Sequence, residues 1–178
     1  MGKYVLVFLP NAEVTEYGDK LVAEVGPKFG EYHLVENPRP FHVTLKSPFY
    51  MEDTVELEKV LAEFASKCKS SNVDVSGFDN FRRSVAFLNT TFSKAGIELQ
   101  KNLIEAIKGI KGLYFGEFDL QWHPHLTIAY GNLPPTFDKI WEYLQSLPVP
   151  KFKLKFDNIT LLKKEGNEWK IYKRFDIK

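Results

Sequence analysis

A chain of 178 residues with 44% hydrophobic and 26% charged side chains is long and apolar enough for one domain with a sizeable core, which excludes a disordered segment. A formal net charge of +1 excludes a large electrostatic nucleic-acid footprint, and the apolar run at residues 4–9 stops at Pro10, far short of a membrane span or signal-peptide core. The single cysteine, Cys68, excludes an internal disulfide and fits a reducing compartment, so a cytoplasmic location is expected.

Residues 3–9 predict a first strand. Asn11 predicts the cap of a helix to about Val25, with Val14, Tyr17, Leu21 and Val25 on one face and Gly26-Pro27 as its stop. A looser segment follows, holding His33, expected at the surface, and the turn Asn37-Pro38-Arg39-Pro40. It leads into Phe41-His42-Val43-Thr44-Leu45-Lys46-Ser47-Pro48-Phe49, an apolar run between prolines that reads as a buried strand. Asp53 and Glu56 resemble a capping box before a helix with Leu57, Val60, Leu61, Phe64 and Cys68 on its inner face. Strands are predicted near residues 73–77 and 84–89, with Arg82-Arg83 in the turn between them. Ser93 predicts the cap of a helix whose core positions are Ile97, Leu103, Ile104 and Ile107, closed by Gly109 and Gly112.

Residues 113–118 predict a strand, and the next is Trp122-His123-Pro124-His125-Leu126-Thr127-Ile128-Ala129-Tyr130-Gly131. Pro134-Pro135-Thr136 opens a helix with Phe137, Ile140, Trp141, Leu144 and Leu147 inward, ended by Pro148. Two final strands are predicted near residues 152–162 and 168–175, joined by a turn at Glu165-Gly166-Asn167. Residues 151–178 carry nine Lys and Arg against four acids, +5, leaving −4 on the rest. Much of that excess is Lys151, Lys153 and Lys155 alternating with Phe152, Leu154 and Phe156, the pattern of the wet face of a half-buried strand.

Two of these strands make the same exception. Each holds His-x-Thr inside an apolar run, and a polar pair there is costly unless hydrogen-bonded or exposed to a cleft. On strict alternation His42, Thr44 and Lys46 share one face, and His125 and Thr127 share one face of the other strand. The offset of 83 that aligns the histidines also sets Val5 on Leu88, Val14 on Ile97, Leu21 on Ile104, Leu57 on Ile140, Leu61 on Leu144 and Phe64 on Leu147. The pattern predicts an α+β fold: two similar β-α-β-α-β lobes related by a pseudo-twofold, with antiparallel-rich sheets on either side of a central cleft. One bilobal domain is expected over residues 1–178, with lobes of about 1–83 and 84–178 and terminal strands open to exchange. Both His-x-Thr pairs would line the cleft.

Two facing imidazoles suit in-line displacement at phosphorus, one neutral to take a proton and the other charged to give one, since a free histidine titrates near neutrality. Thr44 and Thr127 can donate to non-bridging oxygens. Lys46 is expected to add positive charge beside the phosphate, and Phe49, Tyr50, Tyr130 and Trp122 flank the motifs where a base could stack. The paired His-Val-Thr-Leu and His-Leu-Thr-Ile resemble the two-histidine (2H) phosphoesterase superfamily, in particular its 2′-5′ RNA ligase-like and cyclic phosphodiesterase members. The likeness covers the chain in element order, its identity being confined to the motifs.

The resemblance implies a bilobal fold and metal-independent hydrolysis of 2′,3′-cyclic phosphates of nucleotides or RNA ends to 2′-phosphates, with no cofactor, by His42, Thr44, His125 and Thr127. It also implies His125 as the group that activates water and His42 as the acid. Substrate-binding positions are Lys46, Phe49 and Tyr130, the last standing where many ligase-like relatives carry arginine. The expected partner is a cyclic-phosphate nucleotide or RNA, with no membrane, and the chain is expected to act as a monomer. Three alternatives compete: 2′-5′ RNA ligation; a non-catalytic RNA or nucleotide reader using the cleft, the lysine-rich strands and Arg82-Arg83; and a zinc site of His42, His123 and His125.

Overall fold

In the computed structural model, which describes residues 1–131 and 133–178, the chain runs β1 (Gly2–Phe8), α1 (Ala12–Phe29), α2 (His33–Glu36), β2 (Val43–Met51), α3 (Val55–Lys67), β3 (Ser71–Phe81) and β4 (Val85–Phe92). It continues through α4 (Lys94–Ile107), α5 (Glu117–Leu120), β5 (His125–Tyr130), α6 (Phe137–Ser146), β6 (Lys151–Phe156), β7 (Asn158–Glu165) and β8 (Glu168–Asp176). The strands make two antiparallel four-stranded sheets, β2-β1-β7-β8 and β5-β4-β3-β6, the α+β two-sheet arrangement the repeat predicts. In each sheet the order begins with two successive strands of one half, and a later place is taken from the other half. Each sheet therefore draws on strands from both sides of residue 83.

The exchange depends on a break that alternation alone does not reveal. Residues 152–162, predicted as one strand, are two: β6 pairs with β3 in one sheet, while β7 pairs with β1 and β8 in the other. Asp157 and Asn158, residues poorly suited to strands, mark the crossing. The buried Asn158 amide accepts from Leu9 N at 3.1 Å and donates to Leu9 O at 2.8 Å, closing the end of β1. One apolar core joins the sheets, with Phe8 of β1 edge-on to Phe92 at 5.9 Å and tilted against Phe156 at 5.1 Å. Val5 and Val7, on the opposite face of β1, form a smaller cluster with Leu162 and Trp169.

Local chemistry explains where the elements depart from expectation. The Asn11 carboxamide caps α1 by accepting from Val14 N, but the helix runs through Gly26-Pro27 to Phe29. A proline in the last turn removes only one ladder bond, and Gly30 closes the helix at φ 73° with its N–H on Gly26 O. Before α3 the box is not formed with Glu56: Asp53 accepts from Val55 N, and Thr54 donates to Glu58. Ser93 caps α4 as predicted, yet Ile97 is exposed. Gly96 packs against Ser71 and Phe92, so the inner face of α4 runs Gly96, Leu99, Gln100, Leu103, Ile104 and Ile107. Residues 113–118 are not a strand; Tyr114 and Phe118 point outward, and the segment ends in α5, whose Asp119 is buried. Lys151, Lys153 and Lys155 do form the exposed row of β6. Among the described residues, no helix is long and apolar enough to cross a membrane.

The structure also refines the repeat. Phe8 pairs with Val43 and Leu88 with Leu126, so β1 and β4 are equivalent at an offset of 80 while the His-x-Thr strands keep 83. The intervening elements differ in length, α1 having 18 residues and α4 having 14. Both His-x-Thr strands carry an extra residue at the same place. Leu6 pairs with Lys46 but Val7 with Thr44, and Ala86 pairs with Ala129 but Phe87 with Thr127, leaving Leu45 and Ile128 unopposed. A bulge of this kind resets the alternation of side chains.

Candidate active site

A cavity of about 290 Å³ opens between the sheets, and His42, Thr44, His125 and Thr127 all line it. The sequence motifs are thus brought together from strands that belong to different sheets. Each imidazole is oriented by the same device. His42 Nδ1 lies 2.6 Å from Pro40 O, and His125 Nδ1 lies 2.8 Å from His123 O, both two residues back along the chain. A carbonyl only accepts, so each Nδ1 carries the proton and each Nε2 is the free nitrogen, an acceptor in the neutral ring and a donor in the charged one. His125 is further wedged between Phe81 at 4.9 Å and Phe87 at 5.1 Å. Phe81 ends the hairpin turned by Arg82 and Arg83, both at positive φ, with Arg83 held by Asp138 at 2.9 Å.

Burial sets the charge of the two rings. His42 is pushed down to about 4, chiefly by burial, with the Arg39 and His125 charges acting in the same direction against the bond to Pro40. His125 is also lowered, again chiefly by burial, with a contribution from the His123 charge. Burial thus favours the neutral form of both rings in the free protein. A bound anion would favour the charged form of a nearby imidazole.

The bulges decide which flanking residues reach the cavity. Past Leu45, Lys46 turns inward rather than sharing the face of Thr44: it is 2% exposed and ion-paired to Asp119 Oδ2 at 2.9 Å. It is thus absent from the cavity wall. Asp119 also accepts from Ser47 N at 2.7 Å, from the Ser47 hydroxyl and from Gly116 N at 3.0 Å, while Gln100 donates to Leu45 O and Asp119 O beside it. Past Ile128 the same reset turns Tyr130 into the cavity wall. Phe49 is a core residue stacked on Tyr4 at 6.1 Å, not a cavity residue. Trp122 is half-buried and donates its indole N–H to Thr44 O at 2.8 Å, a tie between the motifs rather than a stacking surface.

Sequence reasoning missed several parts of this wall. Arg39, Asp19 and Trp169 line the cavity, Trp169 coming from the far end of the chain. His33 is not simply a surface residue, for its ring meets Tyr130 edge-on at 4.9 Å. That approach needs Gly131, at φ 132°, since a Cβ there would press on Glu31 and His33. The exposed His123 ring bonds Gln121 O through Nδ1, and among the described residues no three His, Cys, Asp or Glu side chains converge as a metal-binding group. Only the double proline around Arg39 offered a sequence signal, a stiff loop just before the histidine.

Comparison with known proteins bears on the same residues. The family model described as the 2′-5′ RNA ligase superfamily matches residues 22–168, a span holding both His-x-Thr pairs. No curated protein sequence matches the chain. Its fold is similar to the crystal structure of TT0787 of Thermus thermophilus, with a TM-score of 0.65 at 13% identity over 98% of this chain and 97% of that one. It is also similar to a crystal structure of a phosphoesterase, with a TM-score of 0.61 at 15% identity over 99% of each chain. E. coli LigT complexed with 3′-AMP superposes with a TM-score of 0.59 at 15% identity, over 99% of this chain and 98% of that one.

Proposed function

We propose, because this chain belongs to the 2′-5′ RNA ligase superfamily of two-histidine phosphoesterases, that it hydrolyses 2′,3′-cyclic phosphates of nucleotides or RNA ends to 2′-phosphates. Membership makes it an enzyme of the phosphoesterase or ligase kind. The observation that carries the finer reading is the matched pair of Nδ1-to-carbonyl bonds, which leave two free Nε2 atoms and two threonine hydroxyls on one cavity.

The steps follow from that arrangement. Water attacks phosphorus as a neutral imidazole takes its proton at Nε2. The P–O3′ bond breaks, and the other, charged imidazole gives its Nε2 proton to the departing O3′, leaving a 3′-hydroxyl and a 2′-phosphate. Thr44 and Thr127 donate to the non-bridging oxygens, where charge is held in the transition state. The rings then return to their starting charges by exchange with solvent. By resemblance to the family, His125 takes the base role and His42 the acid role, the acid gaining its proton against burial only with the phosphate bound.

Product analysis without added metal tests the reaction, on 2′,3′-cyclic nucleotides and cyclic-phosphate-ended oligonucleotides. A 2′-phosphate product lost in both His42→Ala and His125→Ala supports it; no turnover of any substrate in the panel overturns it. A phosphodiester with a 4-nitrophenolate leaving group, which needs no proton, tests the roles. His42→Ala should retain activity on it and His125→Ala should not, and the opposite result would exchange the two roles. Binding of oligonucleotide that survives both substitutions, with no product, would instead mark the cleft as a reader.

A further inference from the structure

Among the described residues, Arg39 is the one lysine or arginine that lines the cavity, the expected cation Lys46 being neutralised by Asp119. Arg39 stands between Pro38 and Pro40, whose rings restrict the loop backbone on both sides. Both proline carbonyls are engaged: Pro38 O accepts from Trp169 N at 2.9 Å, and Pro40 O bonds the His42 ring at 2.6 Å. The loop is thereby tied to β8 on one side and to the imidazole on the other.

The side chain is half-buried and spends little of its hydrogen-bonding capacity on the protein. Nε donates to Asn37 O at 3.2 Å, and among the described residues no carboxylate forms an ion pair with it. Asp19, the carboxylate on the cavity wall, is not such a partner. A cation partly removed from water without a counter-ion is costly, and burial already lowers the Arg39 pKa. The terminal guanidinium nitrogens form a planar fork that matches two phosphate oxygens.

We propose that Arg39 is the phosphate-binding residue of this cavity, holding non-bridging oxygens of the substrate while the two imidazoles act on the entering and leaving ones. The assignment rests on the phosphodiester reading of the site and deepens it. Arg39 fixes where the phosphorus sits relative to His42, because one proline carbonyl beside it orients that ring.

Titration of inorganic phosphate into the protein, followed by calorimetry and by the histidine ring signals in NMR, tests this without any turnover. Arg39→Gln should weaken phosphate binding about 10- to 100-fold, the loss expected for charged hydrogen bonds, with Tm unchanged. Arg39→Lys, which keeps the charge and loses the fork, should fall between. Arg39→Gln should also move the His42 titration toward neutrality, since the Arg39 charge helps to hold it down; a merely structural loop residue would leave both readouts in place. Phosphate binding that is unmeasurable in the native protein, or equal in Arg39→Gln, overturns the proposal. Should the Gln variant fail to fold, Arg39→Lys decides: weaker binding supports the assignment and unchanged binding sinks it. A protein that binds phosphate through Arg39 but turns over no cyclic phosphate would refute the reaction and leave the phosphate site standing.

Discussion

Replacing Asp119 by alanine is the perturbation whose cost the structure defines best. Its carboxylate is 2% exposed and neutralises Lys46, equally buried, at 2.9 Å. Burial alone would push the Asp119 carboxyl up; the hydrogen bonds from Ser47, Lys46 and Gly116 outweigh it and hold the group below its ordinary value. Removal leaves the Lys46 ammonium in the core with Ser47 O at 3.2 Å as its remaining acceptor, and orphans the N–H and hydroxyl of Ser47. Gly116 is exposed enough for water to satisfy its N–H. Breaking one side of a buried pair costs about 3–5 kcal/mol, and that is the expected destabilisation.

Lys46→Met removes one donor from a carboxylate that keeps three, so it should cost about 1–2 kcal/mol. Urea unfolding at pH 7 with a shared m-value measures both. A loss below about 1 kcal/mol for Asp119→Ala, or a larger one for Lys46→Met, would refute the reasoning. The acid dependence has a defined sign. With the folded pKa below the unfolded one, this stabilisation is complete above about pH 4 and is lost as pH falls through the folded value, so Asp119→Asn should flatten the native protein's decline there.

The same linkage operates in a higher window for His42. Its folded pKa of about 4 lies below the unfolded value of about 6.5, so the unfolded chain binds the extra proton. Stability should fall as pH drops from about 6.5 to about 4, by up to about 3 kcal/mol, and urea midpoints for His42→Asn that keep the native slope would contradict this. His42→Ala and His125→Ala should each reduce kcat nearly as much as the double variant, since residues acting as a unit are non-additive; losses that multiply would point to independent binding roles. A methyl at Gly18 would enter the space of the buried Phe41 ring, next to His42, so Gly18→Ala should cost about 1–3 kcal/mol and lower activity, and full activity at native Tm would show that Phe41 yields freely.

The two His-x-Thr motifs, the caps at Asn11 and Ser93, and the repeat were legible because each depends on neighbours in the chain: period-two burial, a side chain reaching the third amide on, the same order of elements twice. From them follow the two-sheet α+β class and the meeting of the four motif residues on one cavity. Tertiary structure decided what lies beyond that local reach. A single extra residue after each threonine turned Lys46 into the core and Tyr130 toward the cavity, and alternation carries no sign of it, because a bulge is defined by the opposing strand. Asp119 finds Lys46 across 73 positions of sequence, and Trp169 finds the Pro38 carbonyl from the other end of the chain. Arg39 stands close to His42 in sequence, yet its place on the cavity wall, with no carboxylate among the described residues paired to it, is visible only in the folded chain. Separation in sequence carries no information about proximity until the sheets are assembled, and burial and electrostatics are properties of that assembly.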